Sequence, residues 1–430
     1  MIPKAKGSTS PTTTEQLPTT QLRHYAEINP PTAEFSLISP GDPVTFMSLD
    51  TVWPDGHADV GTEIVWTGQS HSYTPFRRGD VLLPKVSPTF SMGRATVADT
   101  PHPVGLASSE VYVLRPRENA DARFIAYAVR STDFLAEGTA SQQGVGGLRR
   151  VSSSWVGSYK FPQFDLPTQR RIADYLDRET AQIDAMAEAL DGLVAQLEER
   201  RVSAIENATH ALSESSDGIP HGWVFIPFKW AVEAHFPGDW GGDPGTNDTD
   251  RLCVRVADFD RTSGTVGGDV PTLRSYTTRS ANERHLLTHD LLLEKSGGTP
   301  KNPVGRVVLY TGRPGRMTTN FVQCIRLNAD HESRFWHYVF LAAYKTRFTN
   351  VHVRQTTGIQ NLDIGGFFDE KFACPPLDEQ RRIADHLDAE TAKIDAMIAK
   401  AGELRALLDE RRSALITATV TGQHPVPEEP

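Results

Sequence analysis

The sequence predicts an α+β fold in which two mixed lobes are joined by two long antiparallel coiled-coil helices, with an internal pseudo-two-fold repeat. The first observation behind this is a duplication. Leu166-Pro-Thr-Gln-Arg-Arg-Ile-Ala-Asp-Tyr-Leu-Asp-Arg-Glu-Thr-Ala-Gln-Ile-Asp-Ala-Met186 returns 211 residues later as Leu377-Asp-Glu-Gln-Arg-Arg-Ile-Ala-Asp-His-Leu-Asp-Ala-Glu-Thr-Ala-Lys-Ile-Asp-Ala-Met397, identical at 16 of 21 positions. The second is apolar spacing. Ile183, Met186, Leu190, Leu193 and Leu197 in one copy, and Ile394, Met397, Ala401, Leu404 and Leu408 in the other, form a narrow stripe at coiled-coil spacing. The third is that the segments preceding the two stretches share short β-type runs in the same order. If each helix leaves its lobe in the same sense, pairing them head to tail relates the two halves.

Taken in order, residues 1–20 are rich in Ser, Thr and Pro and read as a flexible tail. The first lobe spans 21–164, with β-type runs at 44–49, 63–66, 80–83 and 110–114 and a helical segment at Arg123–Arg130. A long helix spans 165–217. A second lobe occupies 218–375, where Gly79-Asp-Val-Leu-Leu-Pro-Lys85 reappears as His289-Asp-Leu-Leu-Leu-Glu-Lys295, Gly93-Arg94 as Gly305-Arg306, and Arg123-Phe-x-x-Tyr127 as Arg334-Phe-x-x-Tyr338. The second long helix spans 376–422, and the proline-rich 423–430 reads as a frayed tail. No proline falls between Gln169 and Leu212, or between Gln380 and Thr421, so each helix runs roughly 60 Å.

Composition narrows the function. The 430 residues allow two or three domains, and 38% apolar and 23% charged content is that of an ordinary folded protein. No apolar run suits a membrane span, and the N-terminus lacks the apolar core of a signal peptide. Cys253, Cys324 and Cys374 are scattered without metal-ligand spacing, so a reduced, cytoplasmic setting is expected and no metal site. The net charge of -10 is unevenly placed. Basic against acidic residues number 14 against 15 over 1–163 and 18 against 16 over 218–372, but 5 against 12 over 164–217 and 7 against 11 over 373–430. The acid sits in the helices, which leaves the lobes free to carry local basic faces.

Candidate chemistry is sparse. Asn29-Pro30-Pro31-Thr32 is similar to the Asn-Pro-Pro-aromatic motif of adenine methyltransferases, but Thr32 replaces the ring and no glycine-rich cofactor loop precedes it. Gly144-Val-Gly-Gly147 does not complete a nucleotide-binding pattern. Asp290 with Glu294 and Lys295 offers a nuclease-like set, yet the matching stretch after Asp80 has no second acid. No catalytic residue is therefore expected. Basic and amide side chains on loops are the better candidates, because cations approach phosphates and Arg, Gln and Asn make paired bonds to base edges. They are Arg77, Arg78, Lys85, Arg94, Gln142, Gln143, Arg149 and Arg150 in the first lobe, and Lys295, Lys301, Arg306, Arg313, Arg316, Arg354, Gln355, Gln360 and Asn361 in the second.

The order lobe, long helix, lobe, long helix resembles the specificity subunit of Type I restriction-modification systems. The stretches that carry the likeness are Gly79-Asp-Val-Leu-Leu-Pro-Lys-Val86, Ser108-Ser-Glu-Val-Tyr-Val-Leu-Arg-Pro116, Gly144-Val-Gly-Gly-Leu-Arg-Arg-Val151 and the two Leu-x-x-Gln-Arg-Arg-Ile-Ala-x-x-Leu-Asp segments. The second lobe departs at His289, where glycine is expected, and in Gly358-Ile-Gln-Asn-Leu362, which is only loosely like the first glycine loop. The resemblance implies that each lobe is a target recognition domain contacting double-stranded DNA. It also implies that the helices hold two modification (adenine methyltransferase) subunits, and that restriction/translocase subunits join the complex. It places S-adenosylmethionine on the modification subunit, ATP and Mg on the restriction subunit, and no cofactor in this chain. A bipartite, asymmetric target then follows from two unlike lobes. The rival readings are a coiled-coil scaffold with two protein-binding lobes and a free-standing methylating enzyme; the missing cofactor loop counts against the second.

Overall fold

The computed structural model describes residues 17–70, 72–144, 148–211, 213, 218–356 and 358–427. The expected N-terminal tail through residue 16, residues 145–147 of the glycine loop, and residues 428–430 lie outside them. The helices are α1 (Ala122–Ala128), α2 (Thr132–Ser141), α3 (Ser153–Ser158), α4 (Leu166–Thr209), α5 (Thr278–Glu283), α6 (Ser333–Lys345), α7 (Ile364–Asp369) and α8 (Leu377–Val420). The chain divides into two compact units, Met1–Leu190 with Gly402–Pro430, and Asp191–Ala401. Each long helix therefore contributes one half to each unit.

In the first unit a four-stranded antiparallel sheet has the order Ala26–Ile28, Val111–Pro116, Val81–Pro84, Thr96–Val97. A second sheet runs Glu63–Val65, Pro43–Met47, Val104–Ala107, Thr74–Arg77, with the middle pair parallel. Val81, Leu83, Leu114, Phe124, Ile125, Phe134 and Phe161 build its largest core, and Ile172 and Leu176 of α4 with Ile416 and Val420 of α8 enter it. The second unit repeats the plan. Its five-stranded sheet has the order Val232–Pro237, Val322–Leu327, Leu291–Glu294, Val307–Tyr310, Thr265–Val266. The core around Phe228, Trp336 and Phe340 admits Ile205 of α4 and Ala384 and Leu387 of α8. Burying the helix ends inside lobe cores removes the need for a wide apolar face along the helices.

The pairing is antiparallel: from Tyr175 to Asp184 along α4 the partner moves back along the chain from His424 to Arg412, and ion pairs join the helices in each unit. Asp184 meets Arg412 at 2.6 Å and Glu179 meets Arg411 at 3.8 Å in the first. In the second, Asp395 meets Arg201 and Glu390 meets Arg200, the latter at 2.7 Å. The seam differs from expectation at every second position. Ile183, Leu197, Ile394 and Ala401 are buried and Leu190 and Leu408 half-buried, but Met186 (51% exposed), Leu193 (44%), Met397 (42%) and Leu404 (43%) face solvent. Ala187, Val194, Ile398 and Arg405 occupy the inner positions instead, all buried or half-buried. A period of 3.5 fits either phase between two fixed points, so the spacing alone does not choose between them.

Two further departures concern the ends. Thr19 and Thr20, expected in the tail, form with Gln21 a strand paired with Lys160–Pro162. Past α8 the chain folds back instead of fraying: the Ala418 carbonyl accepts the His424 N–H at 2.9 Å, and the His424 ring bonds the Tyr175 hydroxyl at 2.9 Å.

Each main sheet is pinned by the same pair, a buried aspartate and a half-buried arginine. Asp80 accepts from Arg115 Nε and Nη2 at 2.9 and 2.8 Å and from the Arg77 N–H at 2.9 Å. Asp290 accepts from Arg326 Nε and Nη2 at 2.9 and 2.8 Å and from the Leu287 N–H at 2.7 Å. His289 keeps the left-handed backbone (φ 75°) that Gly79 has (φ 88°), so the turn survives the substitution noted in the sequence. A fully hydrogen-bonded buried pair tolerates loss of one member badly, because the survivor is left charged and dry. Arg115→Leu is expected to destabilise the first unit by about 3–5 kcal/mol, read by denaturant unfolding. Asp80→Leu in the same chain should restore part of the loss.

Candidate nucleic-acid interface

The polar candidates gather around one hairpin in each unit. In the first, the Val151 N–H donates to the Lys85 carbonyl (3.0 Å), and Gln143 and Arg150 exchange both backbone bonds at 3.0 and 2.9 Å. Gly144 has φ 135°, and a β-carbon there would stand 2.8 Å from the Leu148 carbonyl oxygen. Ser152 then caps α3 by accepting the Trp155 N–H at 3.2 Å. Gln143, Arg149 and Arg150 are exposed. Both oxygens of Glu110 take the Arg150 guanidinium at 2.8 Å, which holds the Glu110 carboxyl below its usual range.

The second unit builds the same hairpin. The Leu362 N–H donates to the Lys295 carbonyl at 2.9 Å, and Val353–Thr356 pairs with Ile359–Leu362 so that Arg354 faces Asn361 and Gln355 faces Gln360. Ser296–Gly297 adds a third strand. Gly358-Ile-Gln-Asn-Leu362, only loosely similar in sequence, is thus the counterpart of the first glycine loop. Asp363 caps α7 through the Gly366 N–H (3.1 Å) and pairs with Arg354; the cap bond, then Arg354, keep its carboxyl low. Arg354, Gln355 and Asn361 are exposed.

Other candidates are committed to the lobes themselves. Arg77 pairs with Glu34 at 2.9 Å, Arg78 donates to the carbonyls of Thr100 and Pro101, and Arg94 reaches the Leu49 carbonyl at 3.4 Å. Lys85 lies over the Tyr112 ring, 5.4 Å from its centre. Gln142 accepts from the Ser87 hydroxyl at 2.7 Å. In the second unit Arg306 lies 4.5 Å over the Tyr344 ring, Arg316 donates to the Gly268 carbonyl at 3.0 Å, and buried Gln360 accepts the Val304 N–H at 3.3 Å. Burial lowers the Lys295 pKa. Lys301 and Arg313 are exposed. Loop-rich lobes expose many carbonyls, and arginine has five donors to satisfy them, so Arg78, Arg94 and Arg316 serve the fold where the sequence placed them at a ligand.

The enzyme-like motifs are also structural. Asn29, at φ 50°, extends a strand: its N–H donates to the Val113 carbonyl (2.7 Å) and its side-chain oxygen accepts the Val113 N–H (2.9 Å). Asp290 is held by Arg326, and burial raises the Glu294 pKa. Among the described residues no group of three or more His, Cys, Asp or Glu could hold a metal ion, and no helix is long and apolar enough to cross a membrane.

Sequence reasoning missed the lashing of helix to lobe. Arg123 donates to Asp174 (2.8 Å) and Asp177 (2.7 Å), and the Tyr127 hydroxyl donates to Asp177 at 2.7 Å. Arg334 donates to Asp385 (2.8 Å) and Asp388 (2.7 Å), and the Tyr338 hydroxyl to Asp388 at 2.7 Å. Burial pushes the Tyr127 hydroxyl up to about 12. Every member recurs at the 211-residue offset, which was the signal available.

No family model matches the chain. Among curated proteins it is similar to the Type I restriction enzyme EcoAI specificity subunit of Escherichia coli, 24% identical over 156 residues, which is 36% of this chain and 26% of that protein. The EcoEI specificity subunit of Escherichia coli is 26% identical over 145 residues, 31% of this chain and 24% of that protein. The chain thus matches about a quarter of the length of each curated relative. Among solved structures, a chain from work on complex assembly and conformational transition of the type I R-M system superposes with TM-score 0.68 at 17% identity, over 95% of this chain and 99% of that one. The HsdS subunit from Thermoanaerobacter tengcongensis gives TM-score 0.56 at 17% identity, over 95% and 98%. The fold is that of these subunits, and the resemblance to specificity subunits comes from sequence and structure alike.

Beside Tyr338, His337 is buried on α6 with no hydrogen-bond partner for Nδ1, and burial pushes its pKa down to about 4. The unfolded chain, with an ordinary histidine near 6.5, takes up a proton first as pH falls. Stability of the second unit is expected to be unaffected by this group above about pH 6.5 and to fall by about 3 kcal/mol between there and pH 4. His337→Gln should flatten that part of the profile, measured by urea unfolding at each pH.

Proposed function

We propose that this chain is the DNA sequence-specificity subunit of a Type I restriction-modification complex, non-catalytic in itself. Each lobe reads one short half of a bipartite, asymmetric double-stranded target. The carrying observation is a single hairpin, built twice on the same hydrogen-bond frame and dressed with different arginine and amide side chains. A scaffold repeated without its surface suits two readers of different sequences, since phosphate contacts position a protein and base contacts specify. The resemblance to the Escherichia coli specificity subunits and to the HsdS fold supports the same reading.

The paired helices dock two modification (adenine methyltransferase) subunits, in line with their duplication, and restriction/translocase subunits join that assembly. S-adenosylmethionine belongs to the modification subunits, and ATP with Mg to the restriction subunits. The structural use of Asn29 and Asp290 supports a chain without catalysis of its own. The setting is cytoplasmic, where such targets are met. The arginine-bearing lobes between acidic helices favour electrostatic capture of DNA by the lobes, with repulsion elsewhere.

The test pairs a chemical and a genetic arm. The purified chain should transfer no methyl group from labelled S-adenosylmethionine to DNA, and should direct methylation once modification subunits are added. Replacing residues 21–163 with the first lobe of a relative should change one half of the methylated sequence and leave the other intact. Methyl transfer by the isolated chain, or a swap that altered both halves, would overturn the reading.

A further inference from the structure

Three positions beside each hairpin are structurally equivalent and chemically exchanged. Glu110, Gln143 and Arg150 of the first unit correspond, at the 211-residue offset, to Phe321, Arg354 and Asn361 of the second. The backbone around them shares its main hydrogen bonds. The Lys85 N–H donates to the Glu110 carbonyl at 2.9 Å and the Lys295 N–H to the Phe321 carbonyl at 2.9 Å. Gln143 faces Arg150 across one ladder, and Arg354 faces Asn361 across the other.

The exchange is coordinated, which sets it apart from drift at exposed sites. Where Arg150 gives way to Asn361, its carboxylate partner Glu110 gives way to Phe321, an exposed ring (45%) with no charge to offer. The arginine reappears on the opposite strand as Arg354. A carboxylate reappears with it, since the cap residue Ser152 of the first unit is matched by Asp363, which holds Arg354. Positions that pin the fold do the opposite: Asp80 and Arg115 recur as Asp290 and Arg326 with the same geometry.

Resting on the proposed function, we infer that these three positions are the specificity-determining face of each lobe. Each face carries one carboxylate-braced arginine and one amide. Glu110 holds Arg150 by its Nε and Nη2 and the Leu148 carbonyl accepts from Nη1 at 3.5 Å, which fixes the guanidinium while leaving one N–H on Nη1 and one on Nη2 to offer. That chemistry selects guanine through O6 and N7 by the arginine, and adenine through N6 and N7 by Gln143 or Asn361. Phe321 supplies the second lobe with an apolar contact for a thymine methyl group that the first lobe lacks. Glu110 and Asp363 are positioning residues, acting through the arginines they hold.

The test uses the full chain assembled with its modification subunits and a pool of random-sequence DNA, from which bound sequences are recovered. Glu110→Phe with Gln143→Arg, Arg150→Asn and Ser152→Asp gives the first lobe the face of the second, the brace included. The half-site read by the first lobe should change and the other stay the same, with affinity for random DNA within about threefold of the starting protein. Arg150→Lys keeps charge while losing the fork, so it covers the case of a combined variant that fails to fold. It should lower discrimination at one base pair by about tenfold. Glu110→Gln should blur the same base pair and no other. Unchanged half-sites in a variant that still binds DNA overturn this assignment alone. If the unmodified complex enriches no sequence, the proposed function falls and takes the assignment with it.

Discussion

Everything in this chain depends on a reciprocal set of charges between its two long helices. Asp184 of α4 holds Arg412 of α8, and their counterparts 211 residues away, Asp395 of α8 and Arg201 of α4, hold each other in the second unit. Glu179 with Arg411 and Glu390 with Arg200 repeat the relation. When residue i of one copy meets residue j of the other and j meets i, the copies must run in opposite directions. Surface ion pairs contribute little energy singly, so they act here by selecting direction and register, while the apolar seam and the lobe cores supply stability.

The helix ends then decide where the lobes can form. Ile172, Leu176, Ile416 and Val420 belong to the core of the first unit, and Ile205, Ala384 and Leu387 to that of the second. Neither lobe completes its core without a piece of both helices. Arg123 and Tyr127 on Asp177, and Arg334 and Tyr338 on Asp388, fix the lobe at the adjoining helical turn. With each core closed by the helices in this way, the exposed loops of a lobe can vary without disturbing its frame. Duplicated Asp–Arg pins and divergent hairpin faces are the two sides of that arrangement.

The charge distribution is consistent with the same division of labour. The helices carry the acid and spend part of it on arginines from the lobes and from each other. The hairpins carry exposed arginines already paired with carboxylates, as Arg150 is with Glu110. Such pairing offsets the positive charge of the guanidinium and gives the fork a fixed direction.

Sequence by itself determined the duplication, the two long helices, the α+β lobes and the positions at which the halves correspond, because those rest on periodicity and identity along the chain. It also matched Gly358-Ile-Gln-Asn-Leu362 loosely to the first glycine loop, without showing that the stretch is one strand of a hairpin. Only the tertiary structure decided the phase of the seam, where Ala187 and Val194 lie inside and Met186 and Leu193 outside. A 3.5-residue period leaves that choice open until a partner surface is present. Only the tertiary structure separated arginines bound to the lobe's own carbonyls, such as Arg78 and Arg316, from those on the exposed hairpins, such as Arg150 and Arg354. An arginine's allegiance is set by which acceptors the folded loops bring within 3 Å or so of it, and that proximity is a property of the fold.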